Sequence, residues 1–221
     1  LAAVRDDARV DFTGRYLRGM GLAGNGCRTT PFIALGVEPA IEARALGHPS
    51  VEENNADFAK PVKGALVSER ADVPGAVGVS AGLATLLGKR RIHDEVAAGS
   101  GAGFVVPDCA SGEAPAIIAA DANIQLAGMT FDGALSAIDG EIVNIFHAAS
   151  SQAEDMTLVT SLAALQDLYA TDAITYVAIY LKDWRRAGAV AVELQDRLRA
   201  AGLAVSAYPF TDERVNSFYA G

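Results

Sequence analysis

The chain has 221 residues, 51% of them apolar and 20% charged, so it can bury a core and is not a disordered polymer. Its 18 Lys and Arg face 27 Asp and Glu, a net charge of −9, which argues against a chain that binds nucleic acid through a basic face or adsorbs directly to anionic lipid. No run reaches the roughly 20 apolar residues that a membrane-spanning helix needs. Val73–Gly88, the longest uncharged stretch of note, holds a Pro and four Gly. Arg5, Asp6, Asp7 and Arg9 interrupt the start, so no signal peptide is read there. The chain opens on Leu rather than Met, and an excised piece of a longer protein is expected.

Leu1–Asp7 reads as a charged lead-in. Arg9–Leu17 alternates Val10, Phe12 and Tyr16 with Asp11, Thr13 and Arg15, the period of a strand. Gly19–Gly26 is glycine-rich and is expected to turn, leading to a second strand in a hairpin, Thr29–Val37. Glu38-Pro39 opens a short helix to Leu46, which Gly47-His48-Pro49 ends. Pro61–Val67 and Ala76–Val79 read as strands. Ser80 is placed to cap a helix from Ala81 to Leu87, with Gly88 as its stop. Gly103–Val106 reads as a strand and Ala116–Ala148 as a β-meander around Gly128, Gly133 and Gly140. Leu158–Tyr169 reads as a helix with Leu158, Leu162, Leu165 and Tyr169 on one face.

The last fifty residues read as a βαβ unit. A strand at Ile174–Leu181 is followed by a helix that Asp183 can cap, with Val190, Leu194 and Leu198 every fourth residue. Gly202 fits the left-handed stop, and Leu203–Tyr208 is the second strand. Thr211 is placed to cap a last helix. The fold class expected is α+β, with a long β-rich middle.

The motifs of this chain mostly dissolve on inspection. Gly19, Gly21 and Gly24 spell GxGxxG, yet a dinucleotide site needs a helix directly after the glycines, and Asn25, Gly26, Thr29, Thr30 and Pro31 lead into a strand pattern instead. Gly82–Lys89 resembles a phosphate loop but has five residues between its glycines, and Arg90 stands where Ser or Thr should hold magnesium. His93-Asp94-Glu95 is a polar tripeptide whose side chains diverge, so a solvated loop is the better reading than a metal or general-base site. His48 and His147 are isolated, and no metal ligand set is read. Asp108 beside Cys109 would raise a thiol pKa rather than activate it, and no GxSxG elbow occurs. Catalytic, cofactor and metal residues are therefore read as none. The two cysteines, Cys27 and Cys109, permit one disulfide or two buried thiols on residues alone.

Five segments in a fixed order carry a resemblance. GNGCRTTPFIALGVEPAIEARAL, GAVGVSAGLATLLGKRRIHDEV, ALSAIDGEIVNIF, TLVTSLAALQDLYATDAITYVAIYLKD and the end TDERVNSFYAG together resemble the extracytoplasmic core of MacB/FtsX-like and LolC/LolE-like ABC-transporter permeases, over about Phe12–Tyr219. The resemblance implies a two-lobed α+β domain, with residues 1–20 as lead-in and first strand, 21–170 as a β-rich sabre-like lobe and 171–221 as a porter-like βαβ unit. Members of the family carry a further βαβ unit before the first long strand; only Leu1–Arg9 is available for it here, and no partner-binding loop is mapped.

The resemblance implies a location on the periplasmic face of the bacterial cytoplasmic membrane, in a protein whose full length spans it. A cytoplasmic ATPase subunit would act through the membrane helices, beside a second permease copy or paralogue and a periplasmic protein or lipoprotein. The role implied is mechanical rather than enzymatic: export, lipoprotein release or mechanotransmission, with no cofactor. In that compartment Cys27 and Cys109 are expected to be bonded. The isolated domain is expected to be mostly monomeric with modest exposed apolar surface. A secreted binding module and a periplasmic hydrolase or thiol enzyme are the rival readings.

Overall fold

The computed structural model describes residues 4, 6–55, 60–96, 104, 106–148, 150–212, 214 and 215. The chain divides into two compact units, Gly14–Val177 and Leu1–Thr13 with Ala178–Gly221. Both contain strand and helix, so the α+β class stands.

In the larger unit the strands are β1 (Val10–Gly24, whose first four residues belong to the smaller unit), β2 (Thr29–Val37), β3 (Pro61–Gly64), β4 (Ala76–Ser80), β5 (Asn123–Met129), β6 (Leu135–Phe146) and β7 (Thr157–Ser161). The helices are α1 (Pro39–Leu46), α2 (Pro49–Asn55), α3 (Ala81–Leu86), α4 (Ala114–Ala120), α5 (Ser151–Glu154) and α6 (Leu162–Tyr169). The pairings run β2–β7–β4–β6–β5–β1, and β1 also pairs β2, so six strands close a ring. β2–β7 and β4–β6 are parallel; the other pairs in the ring are antiparallel. Closure removes the free edges that an open sheet would expose. The short β3 adds to β6 outside the ring.

Inward-facing Phe32, Val77, Val79, Ile124, Leu126, Ile142 and Leu158 meet Leu162, Leu165, Leu168 and Tyr169 of α6 and Leu83 and Leu87 at α3. Two glycines make room for α6. A Cβ on Gly19 or on Gly128 would collide with the Tyr169 ring. The expected turn at Gly19–Gly26 is therefore corrected: β1 continues to Gly24, and its glycines serve close packing. The turn itself is Asn25–Arg28, where the Asn25 Oδ1 accepts from the Cys27 and Arg28 amides at 2.8 and 2.7 Å and Gly26 takes a φ of 92°.

Other expectations shift for local reasons. The expected helix at Leu158–Tyr169 is half strand: β-branched Thr157, Val159 and Thr160 pair into β7, and the Ser161 hydroxyl caps α6 by accepting from the Ala164 amide at 3.1 Å. The start of the expected meander is α4, with Pro115 in its first turn, and only β5 and β6 remain as a hairpin. Ser80 stands at the N-cap of α3, but its hydroxyl donates to Glu154 O at 2.7 Å instead of capping. Gly103 and Val105 lie outside the described residues, and Phe104 and Val106 carry no strand.

The smaller unit holds residues 10–13 of β1 beside the end of β8 (Tyr176–Leu181), then a 3-10 turn (Trp184–Arg186) and α7 (Ala187–Ala200). Val4, Val10, Leu181, Val190 and Leu194 form its core, and the Phe12 and Tyr180 rings stack at 4.3 Å. Gly202 ends α7 at φ 72°, as read from sequence. The second strand expected at Leu203–Tyr208 does not form, so no βαβ unit is completed by it. The Gln195 side chain occupies that backbone: its amide donates to Val205 O at 3.0 Å and its oxygen accepts from the Ala207 amide at 2.7 Å. The expected final helix after Thr211 lies mostly outside the described residues.

Candidate interaction surface

Strand alternation that buries one face of the ring turns the other face outward. On β1 and β2 the outward residues are themselves apolar: Met20 lies opposite Ile33 and Leu22 opposite Pro31. Leu22 also lies opposite Ala127 of β5. Beyond that, Ala127 lies opposite Ala137 and Met129 opposite Leu135. Four adjacent strands thus carry two rows of apolar side chains.

These side chains are open to solvent: Met20 is 74% exposed, Met129 65%, Phe131 78% and Leu135 88%, with Leu22 and Ile33 near half. Phe131 sits on the β5–β6 turn. That turn is pinned by Thr130, whose hydroxyl bonds the Asp132 carboxylate and accepts from the Ala134 amide at 3.0 Å, and by Gly133 at φ 87°. The six larger side chains expose on the order of 700 Å², more than the few hundred Å² usual on a monomer and near one partner's share of a standard interface. This apolar surface is not modest, contrary to expectation. Its borders are polar: Arg18 lies over the Tyr176 ring at 5.1 Å, and Asp132 and Asp139 are exposed. The signal was present in the sequence, since β1 and β2 are apolar at both parities, whereas a strand with one wet face alternates.

A second feature is an open cleft of about 720 Å³ beside the Cys27–Cys109 disulfide. The bridge, expected from the resemblance, joins the Asn25–Arg28 turn to the segment before α4. Lys89 is buried at the cleft and its Nζ donates to Asp121 at 2.6 Å; burial pulls its pKa down.

The sequence motifs are dispersed. Gly19–Gly24 is strand, with no helix after it. Gly82–Lys89 is α3 and its exit. His93, Asp94 and Glu95 go to three different partners, Glu141, Arg70 and Lys63, at 2.7, 2.5 and 2.6 Å, so the tripeptide fastens a 3-10 turn. His48 bonds Ser50 and His147 bonds Glu154. Among the described residues no group of acidic, His or Cys side chains has the geometry to hold a metal. Asp108 accepts from the Ala110 amide, and Cys109 has no free thiol. No described helix is long and apolar enough to cross a membrane.

No protein-family model matches the chain, and comparison with curated proteins finds no match. Solved structures do match. The extracellular domain of the noncanonic ABC-type transporter YknZ from Gram-positive bacteria superposes with a TM-score of 0.51 at 8% identity, covering 91% of this chain and 81% of that one. The periplasmic region of MacB from Actinobacillus actinomycetemcomitans gives 0.51 at 7% identity, covering 91% and 74%. The chain has the α+β fold of these MacB-like periplasmic domains.

Proposed function

We propose that this chain is the extracytoplasmic domain of an ABC-transporter permease subunit, without chemistry of its own. The observation that carries the reading is the fold, similar over 91% of the chain to two domains that are each described as the extracellular or periplasmic part of a transporter. In this reading a cytoplasmic ATPase drives the domain through membrane helices, and the domain transmits that motion to a protein partner outside the membrane. Export, lipoprotein release and mechanotransmission are all forms of such coupling. The 21–170 and 171–221 regions act as sabre-like and porter-like lobes, and a second permease copy or paralogue completes the assembly.

The apolar face of β1, β2, β5 and β6 is the contact surface, and its occupant is a partner protein with an apolar centre and a basic rim. Although Arg18 also borders the patch, Asp132, Asp139 and the net charge of −9 favour a cationic partner and oppose a second copy of the same acidic chain. Reading the complete coding sequence tests the assignment. Apolar runs of about 20 residues should flank the region on both sides. A reading frame without them would favour the secreted binding module.

A further inference from the structure

The cleft at the disulfide has a composition that the rest of the chain does not predict. In a protein of net charge −9, the described residues that line it include Arg28, Lys89 and Arg90 and, among those described, no Asp or Glu. Asp121 neutralises Lys89 from the side. Arg28 and Arg90 are exposed, and among the described residues neither has an acidic partner within ion-pair distance. Of the neighbouring acids, Asp108 accepts from the Ala110 amide, and neither it nor Glu113 lines the cleft.

Both arginines are carried on fixed backbone. Asn25 is buried, holds the Arg28 amide with its oxygen and donates from Nδ2 to Leu87 O at 2.7 Å. The disulfide ties the same turn to the opposite wall. The pair of buried Lys89 with half-buried Asp121 anchors the residue next to Arg90. Pro115, Ala116 and Ile118 of α4 supply an apolar wall. Guanidinium groups that lack a protein carboxylate suit a planar or tetrahedral anion, and the apolar wall suits a hydrocarbon body.

We infer that this cleft binds a small molecule carrying a carboxylate or phosphate group on an apolar body, held by Arg28 and Arg90. The site belongs to this chain alone, so it stands or falls independently of the transporter reading. The test is NMR titration of the ¹⁵N-labelled, oxidised domain with octanoate and with octyl phosphate, against octanol and inorganic phosphate as neutral and headgroup-only controls. Saturable shifts of the Arg28, Arg90 and Ser111 amides are expected with the two amphiphiles, and at least about tenfold weaker binding with either control. Comparison of octanoate with octyl phosphate identifies which anion the site prefers. Arg28→Gln with Arg90→Gln should weaken amphiphile binding about tenfold or more while the spectrum elsewhere is unchanged, since both side chains are exposed. Arg28→Lys with Arg90→Lys should retain part of it. The inference is overturned if neither amphiphile gives saturable shifts, if octanol binds as well, or if the double Gln variant binds as tightly as the parent.

Discussion

The Tyr169 hydroxyl at the end of α6 donates to the backbone carbonyl of Met20 in β1 at 2.9 Å. The ring enters the ring of strands over two glycines, Gly19 and Gly128, and burial raises the phenol pKa. Tyr169→Phe keeps the packing and removes the bond, for an expected loss of about 1 kcal/mol. Gly19→Ala forces a methyl into the Tyr169 ring and should cost more, about 1–3 kcal/mol. Urea unfolding of the two variants checks the order; equal stability of Gly19→Ala and parent would deny the wedge.

The same packing predicts that GxGxxG at Gly19–Gly24 binds no nucleotide. Calorimetric titration with Mg-ATP should give no saturable heat, and a saturable isotherm would revive the motif.

The disulfide closes a loop between residues 82 positions apart. Chain entropy puts its contribution at about 4–5 kcal/mol, often less in practice. Cys27→Ser with Cys109→Ser, or reductant, should lower the denaturation midpoint substantially. Thiol titration of denatured, unreduced protein made in an oxidising compartment should find no free sulfhydryl, and two titratable thiols would contradict the pairing.

The smaller unit should be acid-sensitive. Asp7 accepts from Arg9 Nε at 2.9 Å and from Arg197 at 2.6 Å, and the Arg9 side chain foremost holds its carboxyl well below the ordinary carboxylate range. A depressed folded pKa stabilises at pH above the unfolded value and loses that stabilisation as pH falls through the folded one. Glu42, raised by burial, has the opposite sign, but it belongs to the larger unit. Trp184 is the sole tryptophan and packs edge-on to Phe210 in the smaller unit, so its fluorescence reports that unit selectively. Asp7→Asn should flatten the acid transition of that signal below about pH 4. An unchanged transition would remove Asp7 from the account.

Met20→Glu with Leu135→Glu should leave stability within about 0.5 kcal/mol, because both side chains are exposed. Binding of a hydrophobic dye should fall sharply. Loss of folding instead would mean that the face is structural.

These outcomes bear on how far the sequence could be read. Local chemistry was legible where one signal acted alone: Thr29–Val37 as a strand, Pro39–Leu46 as a helix, Gly202 as a stop. It failed where tertiary packing reassigned a residue. Gly19 looked like a turn because its reason, the Tyr169 ring, lies 150 positions away. Leu158 shares helical spacing with Leu162, yet both are buried by different geometries, one pointing inward from β7 and the other from α6. Leu203–Tyr208 had the composition of a strand, but pairing is a property of two segments, and Gln195 took the place of the second. The outward apolar rows left one trace in the sequence, apolar residues at both parities of β1 and β2. The cleft was not visible, because the Asn25 bond to Leu87 sets the Arg28 turn beside the exit of α3 that carries Arg90, and the bridge to Cys109 adds the opposite wall.

The location of the domain is the claim on which the functional reading depends most. Leu135→Cys in the full-length protein, with any cysteine outside this domain replaced, places a reactive thiol on the most exposed large apolar side chain among the described residues, with Cys27 and Cys109 bonded to each other. Intact cells treated with a membrane-impermeant maleimide should label it without permeabilisation. Labelling that appears only after the cytoplasmic membrane is opened would contradict an extracytoplasmic permease domain.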